Sequence, residues 1–114
     1  MDILAPAQQV VDLLRSAGLN ADTNTDRLNP PCVWVAHDRL DLNTLDGAGD
    51  VHLSLFLAVP DHGYERAITG LQDLLGTVLQ VVTPDGDVEL SAGLQTSAGT
   101  LPAFRFPLIM RASN

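Results

Sequence analysis

The run at residues 51–59, VHLSLFLAV, constrains the fold more than any other stretch of this chain. In an extended strand Val51, Leu53, Leu55, Leu57 and Val59 fall on one side, and His52, Ser54, Phe56 and Ala58 on the other. One side is wholly apolar, so the strand needs a core to face, and Pro60 ends it. The core is supplied next in the sequence. Tyr64, Ala67, Ile68, Leu71, Leu74, Leu75, Val78, Leu79 and Val82 recur at spacings of three and four, which predicts a helix that packs on the sheet. Gly70 and Gly76 each cost such a helix about 1 kcal/mol relative to alanine, so tertiary packing must dominate its stability. A close backbone approach at these glycines would account for their presence.

The remaining elements follow by the same periodicities. Residues 6–17, PAQQVVDLLRSA, place Val10, Leu13, Leu14 and Ala17 on one helical stripe, with proline in the first turn and Gly18 as the stop. Residues 19–29 are polar and predict a short extended piece followed by a loop. In LNPPCVWV, each proline drives the residue before it out of the helical region, so the chain enters residues 32–38 as a strand. Cys32, Trp34 and Ala36 share one side of it, and Val33, Val35 and His37 the other. RLDLNTLDGAGD, residues 39–50, predicts a long connection or flared hairpin with a turn at Asp46 and Gly47.

After the second helix, a Pro-Asp-Gly turn leads to Val88, Leu90, Ala92 and Leu94 alternating with Asp87, Glu89, Ser91 and Gly93. The last strand sets Phe104, Phe106, Leu108 and Met110 against Arg105, Pro107, Ile109 and Arg111. Pro107 has no N–H to give a ladder, which predicts an edge or bulged strand. The expected fold is therefore a single α+β domain over residues 1–114: a mainly antiparallel four-stranded sheet with two helices packed on it, in the order α-β-β-α-β-β. Trp34, Phe56, Leu71, Leu75, Phe104 and Phe106 are its expected packing residues.

Composition narrows the function. The chain carries 14 Asp and Glu against 6 basic residues, all arginine, for a formal charge of −8, and 46% of its residues are apolar. Such a surface repels phosphate backbones and holds no basic stripe, which argues against nucleic-acid binding. No apolar run is long enough to span a membrane, and residues 1–10 lack the pattern of an export signal, so assembly in a cytosol is expected.

No reaction is written in the residues. Cys32 would need His37 or His52 as a base to become a nucleophile, and no motif surrounds it, so a small buried strand residue is the simpler account. His37 with Asp38, and His62 with Asp61, form two His-Asp pairs without the ligand spacing of a zinc site. Catalytic, cofactor and metal residues are therefore expected to be none. The expected work is assembly. Arg105 and Arg111, with Ile109 between them, project from the last strand of an acidic chain. Carboxylates in DRLDL of another subunit, where Arg39 and Asp41 lie, are candidate partners.

In the order of its elements, the whole chain resembles the tail terminator proteins of long-tailed bacteriophages and the related small neck and head–tail joining proteins. The resemblance is carried by the N-terminal helix, the NPPCVWV strand entry, the long connection to DVHLSLFLAVP, the helix AITGLQDLLGTVL and the closing GTLPAFRFPLIM. It implies a structural virion protein at the head–tail junction. Such proteins form a ring, commonly a hexamer, on the last ring of the tail tube. The ring ends polymerisation of the tube and presents its other face to a head connector or stopper protein. An acidic lumen would let genomic DNA pass without adhering. The resemblance requires no chemistry, and it locates no tube-binding surface residue by residue.

Overall fold

A computed structural model describes residues 2–43, 48–97 and 99–112. The turn expected at Asp46 and Gly47 lies outside them. Helix α1 spans Leu4–Ser16 and is followed by a two-residue strand β1, Ala21–Asp22, and a 3-10 turn at Thr25–Arg27. Strands β2, Cys32–Asn43, and β3, Ala48–Ala58, form a long antiparallel hairpin. Helix α2, Tyr64–Val78, precedes the final pair β4, Glu89–Thr96, and β5, Gly99–Ala112.

The ends of α1 are fixed by its own sequence. The Asp2 carboxylate accepts hydrogen bonds from the N–H groups of Leu4 and Ala5, at 3.0 and 3.1 Å, satisfying donors that the first turn leaves open. Pro6 sits in that turn and is buried, its missing N–H costing nothing there. Gly18 stops the helix with φ of +84°, a left-handed conformation that a side chain would strain.

The five strands form one mixed sheet in the order β1-β2-β3-β5-β4. This corrects the expected mainly antiparallel, four-stranded sheet in the order α-β-β-α-β-β. The added strand β1 runs parallel to β2, pairing Ala21 with Val33 and Asp22 with Trp34. β1 lies in the short extended piece expected after α1, but two residues are too few to show an alternation that would count it into the sheet. The backbone pairs regardless, with Val33 N–H donating to the Asn20 carbonyl at 2.8 Å. β2 also runs five residues past the expected end at Asp38, through a bulge between His37 and Arg39, so the long connection is largely strand.

The position of Pro107 needs a second correction. β5 lies inside the sheet, between β3 and β4, rather than at its edge. β4 pairs with β5 only as far as Glu89 opposite Arg105, so no strand lies beside Pro107 on that side. Its carbonyl turns there and accepts from Asp85 N–H at 2.9 Å. The N atom of a strand residue points the same way as its carbonyl, so the missing donor falls where no ladder is required.

Both helices pack on the same face of the sheet. Val33, Val35, Val51, Leu53, Leu55, Leu57, Phe104, Phe106 and Leu108 form one buried cluster with Val10, Val11 and Leu14 of α1 and Ala67, Leu71 and Leu74 of α2. Leu75 is partly buried against it. The two helix glycines have no shared reason. A Cβ at Gly70 would meet the Val59 side chain at 3.4 Å, whereas one at Gly76 would meet nothing within 4 Å. Gly76 is exposed, so close approach does not explain it. Gly76→Ala is accordingly expected to stabilise the protein by about 0.5–1 kcal/mol, read as a higher urea midpoint with an unchanged slope.

Candidate functional site

The opposite sheet face carries neither α-helix, and the candidate surface is built there from alternate residues of β2, β3, β5 and β4. One row across the sheet runs Trp34, Phe56, Arg105, Glu89. The Trp34 and Phe56 rings lie with centroids 5.1 Å apart, tilted by 32°. Trp34 Nε1–H donates to the Thr23 carbonyl at 2.9 Å, so its polar edge is satisfied by the loop after β1. Next along the row, Arg105 donates through Nε and Nη2 to the Ser54 hydroxyl oxygen, at 3.2 and 2.7 Å, and through Nη1 to Glu89 at 3.3 Å. Ser54 is the buried polar residue among those described, and Arg105 satisfies it.

At one end of this face Cys32, Ala58, Leu94 and Ala103 form a small second cluster, with Leu28 and Leu101 packed over it. The other end is open and charged. Asp41 accepts from His52 Nε2 at 2.7 Å and lies 3.7 Å from Arg39 Nε, with Arg39 and Asp41 both largely exposed. Ile109, opposite His52, is 41% exposed, and Arg111 is exposed beside Asp50.

The expected assembly residues are thus split. Arg39, Asp41, Ile109 and Arg111 stand together at the open end. Arg105 is engaged inside its own chain with Ser54 and Glu89, so it is a clamp across β3, β5 and β4 before it is anything else. Of the packing residues, Trp34 and Phe56 hold the helix-free face, while Leu71, Leu75, Phe104 and Phe106 hold the helix side.

The arrangement does not assemble a reactive centre among the described residues. Cys32 sits on the helix-free face, whereas His37 turns to the helix side, where its Nε2 bonds the Ile3 carbonyl at 3.0 Å. Burial pushes the Cys32 thiol up to about 11 from its ordinary 9.0, which keeps it protonated at neutral pH. His52 and Asp41 form a hydrogen-bonded pair, and Ser54 is two residues from His52 on the same face. Its hydroxyl oxygen, however, is taken by Arg105 rather than by the imidazole. No three His, Cys, Asp or Glu side chains among the described residues gather as a metal site. Nor, among them, is any helix long and apolar enough to cross a membrane.

Two features of this surface escape the sequence reading. The first is a bulge between Glu89 and Ala92, which breaks the expected single alternation of β4. Ala92 and Leu94 turn to the helix-free cluster, while Leu90 turns to the helix side and stands 63% exposed. The second is a groove of about 720 Å³ between α2 and β4, lined by Tyr64, Ile68, Leu71, Leu75, Leu90 and Phe104. α2 packs over β3 and β5 and stops short of the sheet edge, which leaves this trough open. No protein family, curated protein or solved structure matches the chain.

The raised Cys32 thiol makes stability pH-dependent in a stated direction. Below pH 9 both folded and unfolded chains hold the proton. From about 9 to 11 only the unfolded chain releases it, so this residue's contribution falls by about 1 kcal/mol per pH unit and then levels off. Urea titrations across pH 8–11 are expected to show that excess fall in the native protein and not in Cys32→Ala.

Proposed function

We propose that this protein is a structural ring subunit of a long-tailed bacteriophage, the terminator at the head-proximal end of the tail tube. The observation that carries the reading is the sheet itself, covered by helices on one face and left open at both lateral edges. β4 has a neighbour only in β5. On the other side β1 pairs with β2 only at Val33 and Trp34, leaving residues 36–43 as a second open edge. A free monomer with two exposed edges risks uncontrolled association, and a ring hides both by the same repeated contact. The polar groups at the centre of the helix-free face, Arg105, Ser54 and Glu89, hold the sheet together, which suits a scaffold.

The segments NPPCVWV, DVHLSLFLAVP, AITGLQDLLGTVL and GTLPAFRFPLIM, by their resemblance to tail terminator proteins, support that assignment over a generic assembling domain. In that role the ring caps the last tube ring, presents its other face to the head connector, and resides in the virion after assembly in the host cytoplasm. The charge of −8 per copy gives an acidic ring through which DNA passes without binding. Negative-stain electron microscopy and native mass spectrometry of the purified protein, alone and with tail tubes, are expected to show closed rings that decorate one tube end. A strict monomer at high concentration that ignores tube ends would overturn the reading.

A further inference from the structure

We infer that the occupant of the groove beside β4 is the β2 edge of a second copy of this chain, joined to β4 as an added antiparallel strand. The inference rests on the reading of the protein as a self-assembling subunit and names the contact by which it assembles.

Strand direction comes first. β2 and β3 are antiparallel, as are β3 and β5, and β5 and β4. β4 therefore runs opposite to β2. Repeating the subunit by a rotation, with no flip, brings β4 of one copy against β2 of the next in antiparallel alignment, with the helices of both on the same side. A heterologous contact of this kind repeats around a ring.

The edges also match in length and chemistry. β4 is eight residues long, and the open part of β2, residues 36–43, is its equal. Neither segment contains lysine or proline, two of the guards of a free edge; each carries one bulge, and the charges are Glu89 on β4 and Asp38, Arg39 and Asp41 on β2. Leu40 pairs with Val51 and Leu42 with Gly49, on the helix side of the sheet, and these leucines are 37% and 66% exposed. Leu90 and the groove open on that same side. Aligning the two edges end to end, with Asp41 spanning the bulge at Ser91 and Ala92, sets Leu42 beside Leu90 and Leu40 beside Gly93, the next helix-side position of β4. Alternate side chains of an added strand thus drop into an apolar trough while its backbone completes the ladder. The same alignment places no carboxylate of β2 opposite Glu89.

The open parts lie on opposite sides of the Trp34–Phe56–Arg105–Glu89 row. Pairing therefore offsets successive copies along the strands, and the closed ring has strands inclined to its axis, as in barrels.

The test uses two full-length variants, L40D/L42D in the β2 edge and L90D in the β4 edge, with circular dichroism to show that each is folded. All three leucines are exposed, so folding is expected to survive. By analytical ultracentrifugation each variant alone is expected to lose association at least about tenfold relative to the native chain. Mixed together, the two retain one intact pair of edges between them and are expected to form a one-to-one dimer that grows no further. Variants that still form native rings would overturn the inference and leave the ring reading standing. So would loss with L90D alone, or a mixture that fails to dimerise. A native chain that is monomeric throughout would overturn both.

Discussion

Everything in this structure depends on covering β3. It is flanked by β2 and β5 along its length, its odd residues are buried to a few per cent or less, and its even residues need shelter of another kind. Two helices serve the first side. The second side is sheltered by the Trp34–Phe56 pair, the alanines at 58 and 103, the Arg105 clamp on Ser54, and Leu28 of the loop before β2. Guanidinium donors on a buried hydroxyl replace what a third layer would have supplied, since an unpaired polar atom there would cost more than the hydrogen bonds return. The sheet is thus complete on its faces and incomplete at its edges.

Much of this was legible in the residues, and the reasons for the rest are local. The periodicities of α1, β3, α2 and β5 are long and each element lies on its spacing, although α2 ends at Val78, short of the Leu79 and Val82 that continue its stripe. β1 falls in the short extended piece expected after α1, but its place in the sheet was hidden, because a two-residue strand has no period to read and its pairing comes from the backbone of residues 20–22 meeting β2. The rule that keeps proline out of interior strands was sound in its chemistry and misdirected in its consequence, because Pro107 lies just past the end of β4 and is an edge residue within an interior strand. Leu90 is the instructive case. Its place in a clean alternation suggested the same face as Ala92 and Leu94, but a bulge of the kind that increases local twist moved it to the other side, where it borders the groove. No signal in the sequence marks that bulge.

Among the described residues the candidate reactive groups do not meet, for a physical reason: Cys32 and His37 point to opposite faces of one strand, and the Ser54 oxygen, on the face of the His52–Asp41 pair, is held by Arg105. The same arginine that looked available for a neighbour is already part of the fold. What is left over for a neighbour is the open end of the face and the two edges.

The chain has one tryptophan, and the fold has put it in an informative place. Trp34 lies on the helix-free face, half-buried against Phe56, remote in its environment from the helix-side core. Its emission therefore reports the wetness of that face and little else. A change in colour or anisotropy on adding a binding partner would say whether that partner touches this side of the sheet, without a label having been attached to the protein.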